Sequence, residues 1–212
     1  MDSTTKKGAF FVVSGASGAG KTSLVINAIS QLKDSIPIER VTTYTTRKPR
    51  PGEENGKDYV FICPAEFKQL KERDFFFETT KFNGGVYATP KKLLDRLEEG
   101  ICQVAITDIE GIRSLKKLYP TSVSIWIEAS SNEELKERLK NRGTEDIQTI
   151  ESRIKLAKQH NQQIKNENLA NHVVINESLK KAMQELIDIF KKNFKAPAQI
   201  QTTVHKKQSE KA

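Results

Sequence analysis

Residues Gly15 to Thr22 read GASGAGKT, and they follow directly on the apolar run Ala9, Phe10, Phe11, Val12 and Val13. The octapeptide matches the phosphate-cradling pattern GxxxxGK[ST], which needs a strand to deliver a tight glycine turn and a helix to receive it. The receiving helix is written in Leu24, Val25, Ala28, Ile29 and Leu32, spaced for one face. Gly15, Gly18 and Gly20 let the backbone curl without Cβ clashes, so that successive N–H groups and the helix N-terminus converge on one anion. Lys21 adds a mobile cation for the outer phosphates of a nucleotide, and Thr22 offers a hydroxyl to a magnesium ion bridging them.

Outward from this loop, short runs rich in β-branched residues recur at Gln103 to Thr107, Ser122 to Ile127 and His172 to Ile175. Each is trailed by apolar residues at helical spacing: Leu115 and Leu118, then Leu135 and Leu139, then Leu179, Ala182, Met183, Leu186, Ile187, Phe190 and Phe194. This alternation predicts an α/β fold, a parallel sheet with helices on both faces and the phosphate loop at the carboxyl end of the first strand. Two stretches break the rhythm. Between Ile36 and Thr89 lie only short pieces, Ile38 to Thr43, Tyr59 to Ile62, Phe75 to Glu78 and Val86 to Thr89, with one helical stretch around Glu66 to Lys71. This predicts a small, mostly β lobe inserted after the first strand and helix. The second, highly polar stretch has Ile147, Ile150, Ile154 and Ala157 as a thin apolar stripe, the pattern of a helical lid. The expected organisation of the 212 residues is one domain: a core of 8–35, 90–140 and 169–194, a lobe of 36–89, a lid of 141–168 and a basic tail of 195–212.

Composition narrows the function classes. Hydrophobic residues are 36% and charged residues 29% of the chain, a globular balance. No apolar stretch approaches a membrane span, and the start MDSTTKKG lacks the apolar segment of a secretory signal, so a cytoplasmic location is expected. Cys63 and Cys102 form no metal or redox pair, and His160, His172 and His205 are scattered, so no structural metal is expected. The net charge is +8, but residues 191–212 hold six lysines against one glutamate and carry five of those charges. A basic tail suits an acidic partner; it does not require nucleic acid.

Several residues outside the loop carry chemistry. In TTRKPRPGEENGKDY, Arg47 and Arg50 flank Pro49, a stiff arrangement that can aim two guanidiniums at one phosphomonoester. Thr43 and Tyr59 add hydroxyls there; the competing reading is a solvated basic loop. Glu78 ends FFFE, and a carboxylate there either caps a surface strand or accepts from the adjacent N1–H and 2-amino donors of guanine, an edge adenine does not offer. Asp108 closes the run QVAIT at a strand's carboxyl end, where it faces a cleft or begins a turn. Arg138, Arg142 and Arg153 around NRGTED either stabilise a transferring phosphoryl group or form a salt-bridged helix face.

Together the strings SGASGAGKTSL, TTRKPRPGEENGKDYVFI, FFFE with a later VYATP, TDIEG, ERLKNRGTEDIQTIESR and VVINESLKKA resemble the guanylate kinase family over nearly the whole chain, from Phe11 to about Phe190. The resemblance implies a kinase that moves the γ-phosphoryl of ATP to GMP, and to dGMP, with magnesium. It implies that Arg47, Arg50, Tyr59, Tyr87 and Thr89 hold the GMP phosphate, and that Glu78, Thr43 and Asp108 surround guanine. It places ATP on Gly15, Ala16, Ser17, Gly18, Ala19, Gly20, Lys21, Thr22 and Ser23, with Asn176 near the adenine. Lys21, Arg47, Arg138, Arg142 and Arg153 are the expected catalytic cations. The chain departs from the family where DID is usual, since Ile106 replaces the first acid, and where GNYYG is usual, since Val86 and Ala88 stand in GGVYA. Two alternatives follow from the same residues: a P-loop kinase of another phosphorylated acceptor, and an inactive relative that binds phosphopeptides. No sequence signature points to a particular oligomeric state.

Overall fold

The six residues Phe10–Gly15 are all buried and form strand β1, and a strand buried on both faces belongs in the middle of a parallel sheet. The computed structural model describes residues 7–82, 84–141 and 146–194. In chain order, β1 is followed by α1 (Lys21–Leu32), β2 (Ile38–Arg40), β3 (Tyr44–Thr45), β4 (Val60–Phe61), α2 (Pro64–Glu72), β5 (Phe76–Phe82) and β6 (Gly85–Pro90). Then come α3 (Lys92–Glu98), β7 (Cys102–Ile106), α4 (Ile109–Leu118), β8 (Val123–Ala129), α5 (Asn132–Asn141), α6 (Ile147–Asn166), β9 (His172–Asn176) and α7 (Leu179–Asn193). The central sheet runs β2-β7-β1-β8-β9 with every pairing parallel. Alternate residues of β1 feed opposite layers. Phe11 and Val13 pack with α1, α5 and α7, whereas Phe10 and Val12 pack with α3 and α4. The fold is therefore α/β, a parallel central sheet flanked by helices on both faces.

A second sheet, β4-β3-β6-β5, lies between β2 and α3 in the chain. One of its faces closes on α2 through Phe76, Ala88, Tyr44, Val60, Phe67 and Leu70, with Phe67 stacked on Phe76. The run beginning at Ile38 divides differently from its sequence reading. Ile38–Arg40 pairs with Cys102–Val104 as an edge strand of the central sheet, and only from Tyr44 does the chain join the second sheet. The reason is burial: Ile36 and Ile38 enter one core layer and Val41 the other. Glu39 stays at the rim, accepting from Arg96 and Gln103.

Helix α6 is fastened along its length. Ile150 and Ala157 enter the layer with α1, Ile164 enters the other, and Asn161 accepts from Trp126 Nε1 at 2.9 Å while donating to Glu128 at 2.7 Å.

Candidate functional site

The glycine-rich loop leaves β1 and enters α1 at the carboxyl edge of the central sheet. Gly20 has φ +90, and a Cβ there would meet Asn176 Nδ2 at 2.5 Å, so only glycine fits. Asn176, buried at the end of β9, uses that nitrogen to donate to the Ala19 carbonyl at 2.8 Å. Its Oδ1 is buried without a hydrogen-bond partner. Lys21 Nζ donates back to the Gly15 and Ala16 carbonyls at 2.7 and 3.0 Å, pinning the ammonium across the mouth of the loop. Thr22 and Ser23 are exposed at the start of α1.

Two of the three arginines singled out around NRGTED reach this loop. Arg138 on α5 donates to the Asn176 carbonyl at 2.8 Å and the Ala19 carbonyl at 3.4 Å, and it pairs with Glu134. Arg153 on α6 donates to Ser17 Oγ at 2.5 Å. Arg142 lies outside the described residues. Ser14, buried just ahead of the loop, donates its hydroxyl to the Thr107 carbonyl at 3.1 Å and ties β1 to the turn that carries Asp108.

Asp108 is the N-cap of α4, its Oδ1 accepting from Gly111 N at 2.8 Å. Burial pushes its carboxyl above the usual range, while the charge of Lys21 pulls it down. Ile106, where an acid is usual in the family resembled, packs against the α1 layer and offers no oxygen.

Glu78 owes its direction to a break in strand register. Phe76 and Glu78 are two residues apart and would share a face in a regular strand, but the ladder shifts between them, so Phe76 opposes Pro90 and Glu78 opposes Thr89. Phe76 stays in the apolar layer over α2, and Glu78 turns to the other side, toward α4. There it is only 6% exposed. Thr89 Oγ1 donates to its Oε2 at 3.3 Å, and Oε1 has no hydrogen-bond partner. Burial, reinforced by the charge of Asp108, pushes the carboxyl to about 7, against the opposing pull of the Thr89 and Ser114 hydroxyls.

Arg47 is held on four sides. Nη1 and Nη2 form a fork on Glu53 at 2.7 and 2.8 Å, Nη1 also donates to the Lys48 carbonyl at 2.8 Å, and Nε donates to Tyr87 Oη at 3.1 Å. The guanidinium carbon stands 5.0 Å from the Tyr59 ring centroid and 5.5 Å from that of Phe61. A guanidinium has five N–H donors, so one, on Nη2, stays available to a further acceptor. Glu53 also accepts from Arg50 N at 2.7 Å, and burial raises its carboxyl while Arg47 and that backbone bond lower it further, with a net fall. The Arg50 side chain is exposed, so its backbone and not its guanidinium meets the shared carboxylate. Thr43 is buried immediately before β3.

The structure thus gathers Lys21, Ser17, Arg138, Arg153 and Asn176 around the glycine loop, and Arg47, Tyr59, Tyr87, Glu78 and Thr89 on one face of the second sheet. Asp108 lies where it feels Lys21 and is felt by Glu78. Sequence reasoning missed Glu53, Phe61 and Ser114. Glu53 had a local signal, a carboxylate six residues after Arg47 with Gly52 at φ +83 in the turn between them. Ser114 had none, since α4 meets β5 only through the fold.

The guanylate kinase family model matches residues 7–193. Guanylate kinases of Caldanaerobacter subterraneus subsp. tengcongensis and Chlamydia muridarum are similar to this chain. The first is 38% identical over 185 residues, covering 87% of this chain and 87% of the relative. The second is 39% identical over 184 residues, covering 85% of each. The crystal structure of guanylate kinase from Anaplasma phagocytophilum superimposes with a TM-score of 0.72 at 24% identity, covering 90% of this chain and 88% of that one, a likeness of fold.

Proposed function

Because this chain belongs to the guanylate kinase family, and so is a kinase that phosphorylates GMP at the expense of ATP, we propose that it does so between the glycine loop and the polar face of the second sheet. One observation carries the assignment of the acceptor: Glu78 is buried, and one of its carboxylate oxygens lacks a partner. Guanine brings two adjacent donors to that carboxylate, one for each oxygen; adenine brings an acceptor and would strand a charge. Thr43 and Asp108 border the base, and Thr89, expected on the phosphate, borders it as well because its hydroxyl donates to Glu78. The GMP phosphate takes the remaining N–H of Arg47, the Arg50 guanidinium and the Tyr59 and Tyr87 hydroxyls. dGMP, which keeps the base and the phosphate, is a substrate too.

On the donor side, residues Gly15 to Ser23 cradle the ATP phosphates, and Asn176 lies beside the adenine. To receive them, Lys21 leaves the Gly15 and Ala16 carbonyls for the β and γ oxygens, and Arg138, Arg142 and Arg153 add charge where it spreads in the transition state. A GMP phosphate oxygen then attacks in line while Arg47 neutralises its charge; no covalent enzyme intermediate forms. Magnesium fits the donor set, since Thr22 presents one hard oxygen and no group of three His, Cys, Asp or Glu forms a cage among the described residues. Held by the Thr22 hydroxyl together with ATP, magnesium would supply charge neutralisation to the phosphates. Closure of the second sheet toward the glycine loop would exclude water. A cytoplasmic location is part of the proposal: no described helix is long and apolar enough to cross a membrane, and Cys63 and Cys102 are free thiols.

A coupled ADP assay with GMP, dGMP, AMP, CMP and UMP tests the reading. GMP and dGMP should be turned over with magnesium and lose turnover on its chelation, and Glu78→Gln should abolish the preference over AMP. Equal use of AMP by the wild type, or an unchanged preference in the variant, would remove Glu78 from its role.

A further inference from the structure

Among the described residues, four buried side-chain atoms lack a hydrogen-bond partner: Glu78 Oε1, Thr80 Oγ1, Ser122 Oγ and Asn176 Oδ1. Glu78 and Asn176 already belong to the two halves of the site, and Ser122 precedes β8 at the far end of the sheet. Thr80 has no role in the reading above.

Its place is fixed by register. Past the irregularity after Phe76, the β5–β6 ladder is regular, with Glu78 opposite Thr89, Thr79 opposite Ala88 and Thr80 opposite Tyr87. Side chains opposite one another, and those two apart on one strand, share a face. Thr80 therefore stands on the polar face with Glu78, Thr89 and Tyr87, while Ala88 lies in the apolar layer over α2. Tyr87 Oη accepts from Arg47 Nε, so Thr80 sits between the carboxylate that meets the base and the guanidinium that meets the phosphate. Along the strand it is roughly 7 Å from Glu78. Neither atom bonds the other, since both are without partners.

A GMP laid with its N1 and 2-amino edge on Glu78 and its phosphate on Arg47 presents its imidazole side to Thr80. The acceptor on that side is N7. A threonine hydroxyl donates one hydrogen bond, which N7 can accept. We infer that Thr80 is a further substrate-contacting residue, its hydroxyl donating to guanine N7 from the side of the base remote from Glu78. Glu78 selects guanine among purines, and Thr80 reads a feature that pyrimidine nucleotides lack.

The inference rests on the second sheet being the GMP site, and the test separates the two. kcat/KM is measured with GMP, dGMP and 7-deaza-GMP, in which C–H replaces N7, for the wild type, Thr80→Val and Thr80→Ser. Valine keeps the shape and suits a strand. The wild type should favour GMP over 7-deaza-GMP by roughly three- to tenfold. Thr80→Val should lose that factor with GMP and dGMP, lose nothing with 7-deaza-GMP, and leave the KM for ATP unchanged; Thr80→Ser should restore it. Equal wild-type use of GMP and 7-deaza-GMP overturns the contact without needing any variant to fold. An equal loss with all three nucleotides, or a loss confined to the ribonucleotides, also overturns it, the latter in favour of the ribose. A wild type that does not turn over GMP instead defeats the underlying reading.

Discussion

Lowering the pH from about 8 to about 6 should weaken GMP binding through Glu78 alone by roughly tenfold. Burial holds this carboxyl at about 7 in the free protein. To accept from N1–H and the 2-amino group together it must be ionised, so below about 7 a proton has to leave before guanine binds, and each further pH unit costs close to a factor of ten. The unfolded chain releases the same proton near 4.5. The folded state therefore binds more protons than the unfolded chain between these values. The stability of the neutral form is complete below 4.5 and is lost as the pH rises through about 7, a displacement worth about 3 kcal/mol. Glu78→Gln removes the titration and keeps the shape. It should melt above the wild type at about pH 8 and level with it at about pH 4. The decisive assay is calorimetry of GMP binding at about pH 6, 7 and 8 in buffers of different ionisation heat, which counts released protons. The second ionisation of the GMP phosphate, near 6, is common to both proteins and cancels in the comparison. The wild type should release close to one proton more than the variant at about pH 6 and none more at about pH 8. Parallel pH profiles with equal proton release would refute the argument.

Lys21→Met should cut kcat by roughly a hundred- to a thousandfold, through loss of the ammonium that Gly15 and Ala16 hold at the mouth of the loop; kcat within a few-fold of the wild type would exclude Lys21 from the transition state. Glu53→Gln breaks the charged fork that sets the plane of Arg47, and should raise the KM for GMP by roughly tenfold without changing that for ATP; steady-state kinetics with each substrate varied in turn will show whether the effect is confined to the acceptor. Removing residues 195–212 should leave kcat and both KM values as they are, and a large fall in any of them would assign the basic tail a place in the reaction.

What the sequence disclosed divides by the reach of the physics involved. The glycine loop and its flanking strand and helix depend on neighbours within about fifteen residues, and GASGAGKT with its apolar run was enough to place them. The four strands rich in β-branched residues were legible for the same reason. β2 was not assigned to the central sheet, because an edge strand tolerates polar residues and Glu39 and Arg40 hide the alternation of Ile36, Ile38 and Val41 between layers. α3 went unread because it is a single short stretch whose Leu93 and Leu97 become core only when β7 is beside them. In the site, residue types announced themselves but their states did not. FFFE gave the carboxylate of Glu78; its direction came from a register shift, and its raised proton affinity from burial near α4, with a smaller push from Asp108. The RKPR string suggested two guanidiniums on one anion, whereas the fold gives the fork of Arg47 to Glu53 and leaves Arg50 exposed.

On the proposed role of Glu78, its position would make base selection mechanical as well as chemical. It belongs to the second sheet, while Asp108 and Ser114, which bear on its charge, belong to the N-terminus and body of α4 on the central sheet. With GMP and ATP held as proposed, the base would be read at the seam between the part that brings GMP and the part that brings ATP. A guanine would neutralise the strain of an unpartnered charge at that seam and let the two parts meet; a base without the two donors would wedge a bare carboxylate between them. Discrimination would then act as a latch, and a wrong nucleotide that did bind would be punished again in the rate at which its phosphate comes within reach of Lys21.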